Sequence, residues 1–201
     1  MNRRHTLLAI AAAAASLAAC SRPADKPAFR AIDITGAEYA RKLELPDAEG
    51  KPRTLADFAG KVTVVFFGYT QCPDVCPSTM AELAEVKRSL GADGARVQGV
   101  FVSVDPERDT PELLRAYMSG FDPSFVALRG TPEQTAAAAR EFKVFYSKVP
   151  AKDGHEKNYT VDHTAGSYVF DPKGRVRLFV RYGSGAQALA DDLKILLNEG
   201  A

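Results

Sequence analysis

Cys72 and Cys76 stand with three residues between them in the run Phe66-Phe67-Gly68-Tyr69-Thr70-Gln71-Cys72-Pro73-Asp74-Val75-Cys76-Pro77. Two thiolates are soft ligands, which favour Cu(I), with Zn(II) and iron–sulfur clusters as competitors. Clusters usually need four cysteines, and a closed zinc site needs four ligands. The chain has 3 cysteines in all. Cu(I) accepts lower coordination, so it suits the pair best. Thiol–disulfide exchange is the competing chemistry. Motifs of the thioredoxin type, however, place two residues between their cysteines. The third residue relaxes the loop and lets both sulfurs point at one common atom. A purely structural disulfide closing so short a loop would remove little chain entropy.

A third ligand would most naturally be histidine, and beyond His5 there are His155 and His163. His155 lies among Lys152, Asp153, Glu156 and Lys157 and reads as solvated. His163 stands in Val161-Asp162-His163-Thr164, just before the apolar run Ala165 to Phe170, at one end of a sheet. The residues alone leave it between metal ligand and structural histidine. Asp162 is a weak candidate for orienting the imidazole, because neighbours in an extended segment point to opposite faces. Met80 and Met118 fit apolar helix faces and read as core. Asp105-Pro106-Glu107-Arg108-Asp109-Thr110 follows a buried strand, where α/β sheets place functional crevices. The plainer reading, and the preferred one, has Arg108 paired with a neighbouring acid and Thr110 capping a helix. Ser103 has no partners placed for a hydrolase triad, and no glycine-rich phosphate loop is present.

The pair must be positioned by a strand running into a helix. The β-branched run Val62 to Phe67 predicts a buried central strand, and Ser78 to Leu90 a helix with Met80, Leu83, Ala84 and Val86 inward. Thiolates at such a junction gain from free backbone N–H groups and the helix dipole. Tyr39 to Leu45 and Arg53 to Leu55 predict an opening hairpin around a turn at Asp47 to Gly50. Arg96 to Val104 and Phe125 to Leu128 predict strands. Thr110-Pro111-Glu112 and Thr131-Pro132-Glu133 each announce a helix, running to about Ser119 and about Phe142. Val144 to Ser147 reads as an edge strand and Tyr146 to Tyr159 as an exposed loop. Ala165 to Phe170 and Arg175 to Val180 read as a hairpin, and Gln187 to Asn198 as a final amphipathic helix. The class is α/β with a mixed central sheet flanked by helices.

The chain opens with Arg3-Arg4 and then an apolar, alanine-rich stretch from Thr6 to Ala19, which predicts an export signal too short to span a membrane. Leu17-Ala18-Ala19-Cys20 resembles the lipobox of bacterial lipoproteins. That resemblance implies cleavage before Cys20 and a lipid on it. The division is then a signal peptide over 1–19, a lipid-anchored tether over 20–35 and a domain over 36–201. Twin-arginine and general export both remain open. Without Arg3 and Arg4 the chain carries 24 basic against 25 acidic residues. That balance has no basic field to draw nucleic acid.

Three segments, Phe67 to Pro77, Val102 to Pro111 and Tyr159 to Thr164, occur in order and together resemble the Sco/SenC family of copper proteins, which assist assembly of cytochrome c oxidase. The likeness extends from Phe29 to about Asn198. It implies a thioredoxin-like fold with an inserted hairpin, and copper, as Cu(I) or Cu(II), held by Cys72, Cys76 and His163. It implies a metallochaperone rather than an enzyme, with Cys72 and Cys76 as a redox-active pair in any thiol-reductase role. A thiol–disulfide oxidoreductase or peroxidase-like enzyme of the same fold is the alternative. The implied partners are the copper-bearing oxidase subunit, other copper carriers and, through lipid, the periplasmic side of a bacterial membrane. Many family members carry a transmembrane anchor instead. Ser21 permits outer-membrane sorting whereas oxidase assembly favours the inner membrane, so the membrane stays open.

Overall fold

The computed structural model describes residues 28–151 and 158–199. Its strands are β1 (Ile32–Asp33), β2 (Glu44–Pro46), β3 (Pro52–Thr54), β4 (Val62–Gly68), β5 (Val97–Ser103), β6 (Val126–Leu128), β7 (Tyr146–Pro150), β8 (Tyr159–His163), β9 (Gly166–Phe170) and β10 (Val176–Arg181). Its helices are α1 (Val75–Ser89), α2 (Pro111–Ser119), α3 (Pro132–Glu141) and α4 (Ala186–Glu199). All seven residues of β4 and of β5 are buried. Continuous apolar runs do this when both sheet faces are covered. β4, β5 and β6 run parallel, while β9, β10 and β1 add antiparallel on the other side, in the order β1-β10-β9-β4-β5-β6.

Helices cover both faces of this mixed sheet. α1 and α4 lie side by side, with Leu83 and Leu189 near Val64. The opposite face carries Phe67, whose ring sits 5.0 Å from that of Phe142, and Phe142 in turn packs 5.2 Å from Tyr168. The two Thr-Pro-Glu signals are helix starts, as expected. The Thr110 hydroxyl accepts from the Leu113 amide, and Thr131 forms a capping box with Gln134.

Three expectations are corrected. α1 begins at Val75, not Ser78. Pro77 falls in the first turn, where an amide hydrogen has no intrahelical partner and proline costs nothing. The segment read as an exposed loop supplies β7 and β8, paired from Tyr146 opposite His163 to Pro150 opposite Tyr159. This ribbon forms its own two-stranded sheet between α3 and β9. Residues 29–35, expected as tether, pack on the body. The Arg30 and Ala31 amides donate to the buried Asp192 carboxylate, each at 2.8 Å, and β1 pairs with β10.

Candidate metal centre

The cysteine loop starts where β4 ends. Gly68 is a packing requirement, since a Cβ there would stand 2.9 Å from Cys76 Sγ and 2.8 Å from the Phe66 ring. The following turn is held from the β5–α2 loop. Fully buried Asp109 accepts from the Thr70 amide (3.1 Å), the Thr70 hydroxyl (2.6 Å) and the Ser103 hydroxyl (2.6 Å). Burial pushes the Asp109 carboxyl up, and the Ser103 and Thr70 donors hold it back.

Cys76 is buried in the first turn of α1, and Cys72 is half-buried just before it. Both thiols are free. The Cys76 amide donates to Cys72 Sγ at 3.4 Å, so the sulfur caps the helix start. Cys72 is pulled down to about 5. The hydrogen bond from the Cys76 thiol is the main cause, opposed by burial and helped by the Asp74 and Cys76 amides and by His163. Cys76 is pushed up, because its proton is held by Cys72 and because it is desolvated. At neutral pH the pair therefore shares one proton.

His163 ends β8. Its Nε2 lies 3.4 Å from Cys76 Sγ, and its Nδ1 lies 3.0 Å from the Val161 carbonyl. A carbonyl only accepts, so Nδ1 donates its hydrogen to Val161, which fixes the ring with Nε2 facing the sulfur. Phe66 and Tyr69 meet the imidazole edge-on, with centroids 5.9 and 5.8 Å away. Two sulfurs and one ring nitrogen thus stand together, and a soft cation fits this donor chemistry. Among the described residues no three such side chains already stand arranged about a metal-sized point.

Cys72, Cys76 and His163 come together; His155 and Cys20 lie outside the described residues. Asp162 is exposed, and Val161 orients the imidazole instead. Met80 and Met118 are core. The preferred reading of Asp105 to Thr110 holds, with Arg108 Nε 2.5 Å from Asp105, but it is incomplete. Asp109 fixes the cysteine turn, and Arg108 reaches both Gln71 and Tyr159. The available signal was a pair of acids directly after a buried strand, where a carboxylate requires donors.

These features define a thioredoxin-like α/β protein whose thiol pair, at a strand–helix junction, has a histidine beside it. The sequence profile of SCO1/SenC matches residues 33–198, and the chain belongs to that family. The mouse mitochondrial protein SCO2 homolog is 36% identical over 154 residues, which are 76% of this chain and 60% of the mouse protein. This chain therefore spans less than two thirds of that relative. The structure of Bradyrhizobium japonicum ScoI with copper bound is 43% identical, covering 78% of this chain and 98% of that one with a TM-score of 0.69. A SCO1/SenC family lipoprotein from Bacillus anthracis is 25% identical, covering 84% and 99% with a TM-score of 0.66.

Proposed function

We propose that this chain is a copper-binding assembly factor that carries copper to the copper-bearing subunit of cytochrome c oxidase. Cys72, Cys76 and His163 are its ligands. The observation carrying this reading is that His163 Nε2 stands 3.4 Å from Cys76 Sγ while the Cys76 amide holds Cys72 Sγ at 3.4 Å, so that two sulfurs and an imidazole meet in one pocket. The copper in the Bradyrhizobium relative supports it. Copper here is cargo, held by thiolates that protect Cu(I) and released when a competing thiol set takes it over.

Residues 1–19 are proposed as a signal peptide and Cys20 as the lipid-bearing residue that keeps the domain on the periplasmic side of a bacterial membrane. The lipoprotein named among the solved relatives supports this assignment. Among the described residues no helix is long and apolar enough to cross a membrane.

An anaerobic Cu(I) titration of the reduced protein against a chromophoric chelator tests the reading. One equivalent binds tightly, Cys72→Ser and Cys76→Ser abolish the tight site, His163→Ala weakens it strongly, and His155→Ala leaves it unchanged. Weak binding indifferent to His163→Ala would refute the ligand set. It would favour the second reading, thiol–disulfide exchange, whose support is the half-exposed, low-pKa Cys72 thiolate beside a thiol able to resolve it.

A further inference from the structure

One side chain touches the segments that flank both halves of the site. Arg108 leaves the β5–α2 loop with its Nε on Asp105 Oδ2. Its Nη1 donates to Gln71 Oε1 at 3.1 Å, beside Cys72, and to the Tyr159 carbonyl at 2.8 Å, where β8 begins. Its guanidinium lies 3.5 Å from the centroid of the Tyr159 ring and 5.7 Å from that of Tyr69. The Tyr159 hydroxyl returns to Asp105 Oδ1 at 2.7 Å, closing the clasp. An exposed ion pair, Lys148 with Glu107 at 2.7 Å, ties β7 to the same loop.

The clasp matters because of what it holds. β7 and β8 make no ladder with the main sheet, and four of the five β7 residues are exposed. A two-stranded ribbon is marginal by itself. Its placement depends on its ties to the body, and His163 is four residues along β8 from the clasped Tyr159.

We propose that Arg108 is a positioning residue of the metal centre, joining Gln71 to Tyr159 so that the ribbon presents His163 to the cysteine pair. This rests on the copper reading above and deepens it. A rigid planar fork serves several acceptors and a ring at once, which a lysine ammonium cannot do.

The test is Cu(I) competition on the reduced protein with Arg108→Ala, Arg108→Lys, Tyr159→Phe and His163→Ala, and with each Arg108 variant combined with His163→Ala. Supporting residues around a ligand typically contribute about 10–100-fold in affinity. Arg108→Ala and Arg108→Lys lose about tenfold or more when His163 is present and less than about twofold when it is absent, because the effect passes through the imidazole. In metal-free protein, amide exchange in Arg108→Ala speeds up along β7 and β8 while β4 and β5 keep their protection. An unchanged affinity in the Arg108 variants, an equal loss with and without His163, or faster exchange throughout β4 and β5 would overturn the proposal. If Arg108→Ala does not fold, Arg108→Lys and Tyr159→Phe carry the same comparison. Failure of the wild type to bind Cu(I) overturns the copper reading and this inference together. Tight wild-type binding, weakened by His163→Ala but not by the Arg108 variants, overturns this inference alone.

Discussion

Cys72 and Cys76 are chemically alike in isolation and made unlike by their surroundings. One sits at the helix start receiving hydrogen bonds, and the other is buried holding the shared proton. An acid whose folded pKa is lowered stays ionised until the pH falls to that value. Cys72 is therefore a thiolate across the neutral range and is lost only near pH 5. Alkylation by iodoacetamide, followed by mass spectrometry, should label Cys72 with little pH dependence between about pH 6 and 8 while sparing Cys76. On the proposed ligand set copper displaces the Cys76 proton, so Cu(I) affinity should rise about tenfold per pH unit over the same range. A flat profile would show that Cys76 is not a ligand as a thiolate.

At the scale of elements, the centre depends on how closely β4, α1 and the β5–α2 loop approach one another. Gly68→Ala inserts a methyl among Cys76 Sγ, Phe66 and Phe101. Overpacking of this kind costs about 1–3 kcal/mol. Urea unfolding should show that loss, and the displaced sulfur should weaken Cu(I) binding in the same variant. Asp109→Ala removes the acceptor for three donors, two from Thr70 and one from Ser103. A donor stranded in a buried site costs about 1–3 kcal/mol, and of these residues Ser103 is the fully buried one, so a loss of about 1–3 kcal/mol is expected, read as an earlier unfolding midpoint. The core strands and the Thr-Pro helix starts were legible because each carries a local signal, a continuous apolar run or a cap with proline. The pairing of β7 with β8 was not legible in the residues, which read as an edge strand running into an exposed loop. The ribbon's burial is too slight to impose an apolar alternation, since only Val161 of its ten residues is buried.

For the whole molecule, the body begins earlier than its composition suggests. Removing residues up to 35 would leave the Asp192 carboxylate buried without the Arg30 and Ala31 amides and would expose the β10 edge. A protein beginning at Gly36 should be less stable than one beginning at Ala28 by about 2–4 kcal/mol, measured by denaturant unfolding. In the proposed lipoprotein, the eight residues 21–28 then separate the packed body from Cys20. Fully extended, they reach about 30 Å, which bounds how far the domain stands from the bilayer.

The sequence by itself determined the chemistry on offer: two soft donors at one spacing, a scarce histidine, a buried strand leading into a helix, and three ordered segments resembling one family. These are local facts, set by residue type and short-range periodicity. The tertiary structure decided which histidine neighbour orients the ring, which thiol keeps the proton, and that Asp109 and Arg108 brace the site from a distant loop. The braces, and the approach of His163 to Cys76, join residues 37 to 87 positions apart, for which no local pattern encodes the partner.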